Sequence, residues 1–392
     1  MTIAFVNFPV IILSIMSESS KNFSSIPILD YSLSLSSSTK PTFIPNLRNA
    51  LINIGFLYLS NTDAVVDPAL VESLKSYIPK LFALAQDEKD KIRMANSPHF
   101  LGYSRLGAEL TKGKTDYREQ FDIATEHVSR WRPGDPDFWN VWGPSQYPDE
   151  SLIPGFQQTM KNYLTQVAAL GTTFITLIAE ALGLPSDGLS RFYDTPDRMQ
   201  HRGKVVQYPV PSERSISNQG VGPHYDHQVL HEPLQLLQAS PHPGIQVQNL
   251  TGDWIDAPPI PGTFVINFGR ALEFATNLGI VRATSHRVLS PPVGSSSPRY
   301  SVPFFHNIAL DVRVRDPKYE IEFPPEILEL RDERGSLSQT DSVNYSEFET
   351  QPSGMVQLMG RVKSHPDVAQ RHYPALFQRF FPDGLPAAGS AY

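Results

Sequence analysis

Between residues 220 and 235 the chain reads GVGPHYDHQVLHEPLQ, placing His224, Asp226, His227 and His231 within eight positions. Potential metal donors at that density raise the question of which could share one ion. Two backbone geometries give different answers. On a helix, His227 and His231 stand at i and i+4 and share a face, and HQVLH resembles the zinc-protease pattern H-E-x-x-H. That chemistry needs a glutamate as general base, and Gln228 stands in its place. Pro223 and Pro233 also bracket the stretch and leave little room for a helix. On a strand, residues i and i+2 point to one side. His224 and Asp226 then converge, while Tyr225 and His227 face away.

A His-x-Asp pair supplies two donors of a 2-His-1-carboxylate triad, the ligand set of non-haem Fe(II) oxygenases. Three donors on one octahedral face leave the opposite positions open for small molecules. The third donor must come from another strand, and His286 in RATSHRVLSPP is the best placed because it sits in a strand-like run. Farther on, RYS sets Arg299 and Ser301 at i and i+2 on a common face. A guanidinium fork beside a hydroxyl is a good seat for a carboxylate. Charge-assisted bonds of this kind contribute roughly 1.5–3 kcal/mol each.

These residues need a rigid frame. From about residue 203 short apolar runs alternate with Pro and Gly: KVVQYPVP, LQLLQA, GIQVQN, DWIDAPP, GTFVINFG, HRVLSPP and RYSVPFF. Such runs read as closely spaced strands of a sandwich or jelly roll. Upstream, IPILDYS reads as a strand, and PTFIPNLRNALINIGFLYL as a helix that ends at Gly55 and runs into a strand. Asp67-Pro68 is an N-cap and first-turn pair, with Pro79 expected to bend or break the helix it opens. The longest helical pattern spans about 154–182, its apolar residues recurring every three or four positions until Gly183 and Pro185. Residues 332–350 read as a polar surface loop, and GMVQLMGRVKSHPDVAQRHYP as closing helices.

Composition narrows the chemistry. The chain has 392 residues, no cysteine and a formal charge of −7. Disulfides, thiolate metal sites and thiol catalysis are excluded. Without a long basic run, neither a nucleic acid nor an anionic membrane is an expected partner. The apolar start MTIAFVNFPVIILSIM lacks Lys and Arg, is interrupted by Pro9 and is too short to span a bilayer. It reads as a leader ahead of Met16 rather than a targeting segment, which gives a cytoplasmic expectation.

In their order along the chain, GYSRLGAELTKGKTDYREQFDI, QYPVP, PHYDH, PGIQVQNLTGDWIDAPPIPGTFVINFG, SHRVLSPP, RYSVPFF and SHPDVAQRHYP resemble the isopenicillin N synthase-like family of Fe(II)/2-oxoglutarate-dependent dioxygenases. The likeness covers about residues 26–375. It implies an α+β fold: a double-stranded β-helix (jelly-roll) core flanked by N-terminal and C-terminal helices. It implies Fe(2+) on His224, Asp226 and His286, with 2-oxoglutarate and O2 as co-substrates and ascorbate as an auxiliary reductant. Arg299 and Ser301 would hold the distal carboxylate of 2-oxoglutarate, with Tyr208 donating its hydroxyl. The implied organisation is a leader (1–25), a helical region packed on the barrel (26–199), the jelly-roll core (200–312) and a closing loop with helices (313–392). The expected reaction oxidises a C–H bond of a small secondary metabolite, by hydroxylation, desaturation or ring closure, in a monomer. Two alternatives keep part of this reading: an iron oxidase of the same fold that uses no 2-oxoglutarate, and a non-catalytic small-molecule binder.

The chain departs from the family at three points. Val206 stands where Asn is common, extra residues including HEP follow Asp226, and NFGR carries Arg270 where Asp is usual. Other chemistry-bearing residues have blander expectations. His227 and His231 read as solvated or hydrogen-bonded, His242 as a loop residue, and Trp254 and His306 as packing. Tyr103, Arg105 and Glu109 fall in a segment that lines the substrate cavity in many relatives. Glu109 reads as a salt-bridge partner rather than the seat of a substrate cation.

Overall fold

A computed structural model describes residues 22–111, 114–211, 219–226, 232–276, 279–334 and 350–385. Strands run in chain order as β1 (Ile28–Asp30), β2 (Phe56–Ser60), β3 (Gly102–Ser104), β4 (Leu110–Thr111), β5 (Lys114–Thr115), β6 (Glu119–Ala124) and β7 (Arg202–Tyr208). They continue as β8 (Gln219–His224), β9 (Glu232–Gln238), β10 (Ile245–Gln248), β11 (Trp254–Ala257), β12 (Thr263–Asn267), β13 (His286–Leu289) and β14 (Arg299–His306). An eight-stranded sheet has the order β1-β2-β12-β9-β14-β7-β6-β3, and a four-stranded sheet the order β11-β10-β13-β8. β4 and β5 form a separate hairpin.

The two sheets pack face to face. Val206 and Tyr208 of β7 meet Val221 of β8 and Val288 of β13. Phe56, Tyr58 and Val265 of the large sheet meet Ile245, Val247 and Ala257 of the small one. Side chains alternate across a pleated strand, so Phe121, Ile123 and Val205 point the other way, into the helical core. That core centres on the helix Phe156–Ala181, whose Phe156, Met160, Tyr163, Val167, Leu170 and Phe174 are all fully buried. Among the described residues this is the one helix long and apolar enough to cross a membrane, and its apolar stripe is the interior of the protein.

The strand-like runs after residue 203 form β7 and β9–β14 as their periodicity suggests. Strands also come from the front of the chain: β1 and β2 where IPILDYS and the helix-to-strand run predict them, and β3 and β6 where no strand was expected. β1, β2, β3 and β6 supply half of the large sheet from a region expected to be mainly helical. The short GYS and the charged EQFDIA lack the clean apolar alternation that marks a half-buried strand. Asp67 caps its helix by accepting from the Ala69 N–H, and Gly55 closes its own helix at φ 79°. Pro79 does not break its helix, which continues to Phe82. Placed in the last turn, it removes one backbone bond and little more. The helix Pro325–Arg334 enters the expected loop at 332, and residues 335–349 lie outside the described residues. The closing helices are Ser353–Ser364, Pro366–His372 and Pro374–Phe380.

Candidate metal and co-substrate site

His224 ends β8 and His286 opens β13, and the two stand directly opposite each other in the antiparallel ladder. Their ring centroids are 4.2 Å apart. Asp226 lies just past the end of β8 rather than within it, yet its carboxylate reaches the same place. Its Oδ1 is 3.7 Å from His224 Nε2 and its Oδ2 is 3.6 Å from His286 Nε2. One donor atom from each residue falls within 4.8 Å of the others.

The surroundings orient all three. His224 Nδ1 faces the Gly222 carbonyl at 2.8 Å and His286 Nδ1 the Thr284 carbonyl at 3.3 Å. A ring that donates from Nδ1 keeps its Nε2 lone pair for a metal. Phe56 stands edge-on to His286, centroids 5.3 Å apart. Asn267 donates from Nδ2 to Asp226 Oδ2 at 2.6 Å. Burial, and next the facing His286, holds the His224 imidazole down to about 3, so it is neutral near pH 7. Two imidazoles and one carboxylate fit a divalent ion of the Fe(II) type and leave its remaining positions open.

Arg270, left without a role by the sequence, braces this loop. Its guanidinium lies 4.2 Å from the Tyr225 ring centroid, and its backbone N–H donates to the Asp226 carbonyl. It also forms an ion pair with Glu273 one turn along. A cation in the first turn of a helix works against the helix dipole. The Tyr225 face and Glu273 offset that cost.

The candidate carboxylate seat lies on the large sheet. Arg299 pairs with Tyr208 and Ser301 with Val206 across β14 and β7, so all four share the inner face. Arg299 is buried, with Cζ 5.0 Å from the Tyr208 ring. None of its three guanidinium nitrogens has a hydrogen-bond partner among the described residues. Burial holds it below the ordinary arginine range. The Tyr208 hydroxyl lies close enough to oppose that shift, without hydrogen-bond geometry. An unpaired buried cation is costly, and a carboxylate ligand would satisfy it. Two glycines make room. A Cβ on Gly220 would stand 2.6 Å from the Tyr208 ring, and one on Gly244 would stand 3.1 Å from Arg299 Cδ. Val206 is buried and brings no polar contact where an Asn is common in the family.

The other sequence candidates fall mostly where expected. His242 sits in a loop, its Nε2 2.8 Å from Ser297 Oγ. Trp254 packs under Arg287, 4.1 Å from Cζ. His306 is buried, stacked on His201 at 4.0 Å. His227 and His231 lie outside the described residues. Tyr103 donates to Glu119, and Arg105 pairs with Asp90. Glu109 is not a vacant acid. It pairs with Arg118 at 2.7 Å and Lys204 at 3.2 Å. Burial alone would raise it, but those two charges hold its carboxyl well below the usual range. Sequence reading missed Asn267, Arg118, Gln120 and Asp122, all at or beside the site. Only the REQFD and NFG motifs could have drawn attention to them.

Likeness to known proteins gives the family. Residues 26–150 match the model described as the non-haem dioxygenase in morphine synthesis N-terminal region, and residues 200–308 match the 2OG-Fe(II) oxygenase superfamily. A 2-oxoglutarate-dependent dioxygenase, frbJ, from Dothideomycetidae sp. is 40% identical over 91% of this chain and 94% of its own length. A 2-oxoglutarate-dependent dioxygenase from Gibberella zeae is 34% identical over 91% of this chain and 93% of its own. A full-length Neurospora crassa protein solved in complex with alpha-KG shares the fold at TM-score 0.63 and 24% identity, covering 82% of this chain and 98% of that one. The chain belongs to the Fe(II)/2-oxoglutarate-dependent dioxygenases of the isopenicillin N synthase type. It is an oxidoreductase that uses Fe(II), 2-oxoglutarate and O2 and acts on a small molecule.

Proposed function

We propose that His224, Asp226 and His286 are the protein ligands of the iron, and that Arg299, Ser301 and Tyr208 hold the distal carboxylate of 2-oxoglutarate. One observation carries the reading: three donors from β8, its following turn and β13 converge within 4.8 Å, each oriented by a main-chain or side-chain partner. When bound there, iron supplies the oxygen activation that couples 2-oxoglutarate cleavage, to succinate and CO2, with oxidation of a substrate C–H bond. The chain's own residues do the positioning. Asn267 aims the Asp226 carboxylate, the Gly222 and Thr284 carbonyls set both imidazole tautomers, and Arg299 anchors the co-substrate's far end. Hydroxylation is the simplest outcome. Desaturation and ring closure begin from the same C–H cleavage.

The packed sheets support a double-stranded β-helix core in residues 200–312, flanked by the 26–199 region and the 313–392 helices; of the expected leader 1–25, residues 1–21 lie outside the described residues and Phe23 is buried against the sheets. A cytoplasmic monomer acting on a small organic molecule in secondary metabolism completes the reading. The test is Fe(II) titration with succinate measurement on His224→Ala and Asp226→Ala. Each variant should bind Fe(II) at least about a hundredfold more weakly and form no succinate, since losing a group that only orients a ligand already costs about 10–100-fold. Iron-dependent succinate formation persisting in either variant removes that residue from the ligand set.

A further inference from the structure

The inner face that carries Tyr208, Arg299 and Ser301 continues into a buried polar floor. Ladder partners in an antiparallel sheet share a face. Gln120 opposes Val206 and Asp122 opposes Lys204, so these polar residues extend the co-substrate face across β6 and β7. The β4–β5 hairpin closes over them and touches β8, the strand that ends in His224. It brings Glu109, Asp116 and Arg118, and Arg118 acts electrostatically on both Tyr208 and His224. The floor is therefore contiguous with the metal and co-substrate residues.

The ionised groups of the floor balance. Glu109, Asp116 and Asp122 face Arg118, Lys204 and Arg361 through contacts of 2.7–3.7 Å. What does not balance is hydrogen bonding. Gln120 donates both ways, to Glu109 at 2.6 Å and Asp122 at 2.8 Å, which fixes its amide and leaves Oε1 without a partner among the described residues. Asp116 spends Oδ2 on Thr111 and Arg118, and its Oδ1 is likewise unpartnered there. Arg118 Nε has no acceptor among the same residues. Gln120 and Asp116 are each only 1% exposed. Burial pushes the Asp116 carboxyl up to about 6, Arg118 opposing the rise. Leaving a buried polar atom unsatisfied is destabilising. An apolar substrate seated here would seal in all three. A substrate with donors for two oxygens, an acceptor for one N–H and no net charge would satisfy them.

We propose that the primary substrate is a free amino acid, its ammonium group received by Asp116 Oδ1 and Gln120 Oε1 and its carboxylate by Arg118. This rests on the Fe(II)/2-oxoglutarate reading of the adjoining site. A pocket built to hydrogen-bond a substrate group rejects analogues lacking it far more strongly than an apolar pocket rejects a changed methylene.

The test uses the full-length enzyme with Fe(II), 2-oxoglutarate and ascorbate. Succinate formation is measured alone and with each proteinogenic amino acid, ornithine and their N-acetyl counterparts. At least one free amino acid should raise succinate release, and its N-acetyl form should lose about a hundredfold or more in kcat/KM. Asp116→Asn should raise KM for that amino acid at least about tenfold while the KM for 2-oxoglutarate moves less than about threefold, a tenfold change being about 1.4 kcal/mol. Slow succinate formation without any added compound tests the dioxygenase site separately. If that background is present and no free amino acid raises it, or the N-acetyl forms work equally well, the substrate assignment is overturned. Absence of the background overturns the site reading beneath it.

Discussion

Replacing Arg299 with Met separates a ligand seat from a structural ion pair by the sign of two measurements. In the ligand-free protein the guanidinium is buried, and none of its nitrogens has a partner among the described residues. Removing it takes away a desolvation cost that Tyr208 offsets only in part. Replacing buried ionic groups by apolar residues of similar volume stabilises by about 1–4 kcal/mol. Unfolding entropy near 2.1 cal/mol/K per residue turns that gain into a rise in Tm of about 1–5 °C for a chain of this size. Binding of 2-oxoglutarate should move the other way. A two-bond guanidinium–carboxylate contact contributes about 3–6 kcal/mol at 1.5–3 kcal/mol per charge-assisted bond. Its loss weakens the Kd by about 10²–10⁴-fold. The assays are thermal denaturation without ligand and anaerobic calorimetric titration of 2-oxoglutarate into the metal-loaded protein. A variant that melts lower than the parent and binds 2-oxoglutarate within threefold of it would refute the reasoning, because Arg299 would then be a structural group.

Four further outcomes follow from contacts already described. Asn267→Leu removes the 2.6 Å bond to Asp226 and should weaken Fe(II) affinity by about 10–100-fold, measured by metal titration. Gly220→Ala places a methyl 2.6 Å from the Tyr208 ring and should raise KM for 2-oxoglutarate while leaving Fe(II) affinity near the parent value. Arg270→Met leaves the buried Glu273 short of its cation and should destabilise by about 3 kcal/mol in denaturant unfolding, with Arg270→Met/Glu273→Gln recovering most of that loss. Acid should unfold the protein early. Burial holds His201 near 3 and His365 near 4, so the unfolded chain binds more protons than the native one below its ordinary histidine range. Stability therefore falls as pH drops through about 6.5, by about 1.4 kcal/mol per histidine for each unit. Stability that stays flat between pH 7 and 5 would count against both burial assignments.

Much of the site was legible because its signals are local. A two-residue spacing puts His224 with Asp226 and Arg299 with Ser301, and short apolar runs between Gly and Pro mark strands wherever they occur. The Asp67 cap, the Gly55 stop and the 156–181 stripe are likewise decided by residues within a few turns. The charged β6 and the short β3 were illegible for the complementary reason: what makes them strands is their neighbour in the sheet.

The sequence by itself determined which donor types are present, that Arg299 and Ser301 share a strand face, and that no thiol takes part. Only the tertiary structure decided that β13 pairs with β8 so that His286 faces His224, and that Arg270 clamps Tyr225. It alone brings Arg361 to Asp122 across 239 residues to close a charged floor beside the proposed co-substrate seat. Periodicity and capping are written in chain neighbours, whereas register and burial depend on surfaces that meet only after the chain has folded.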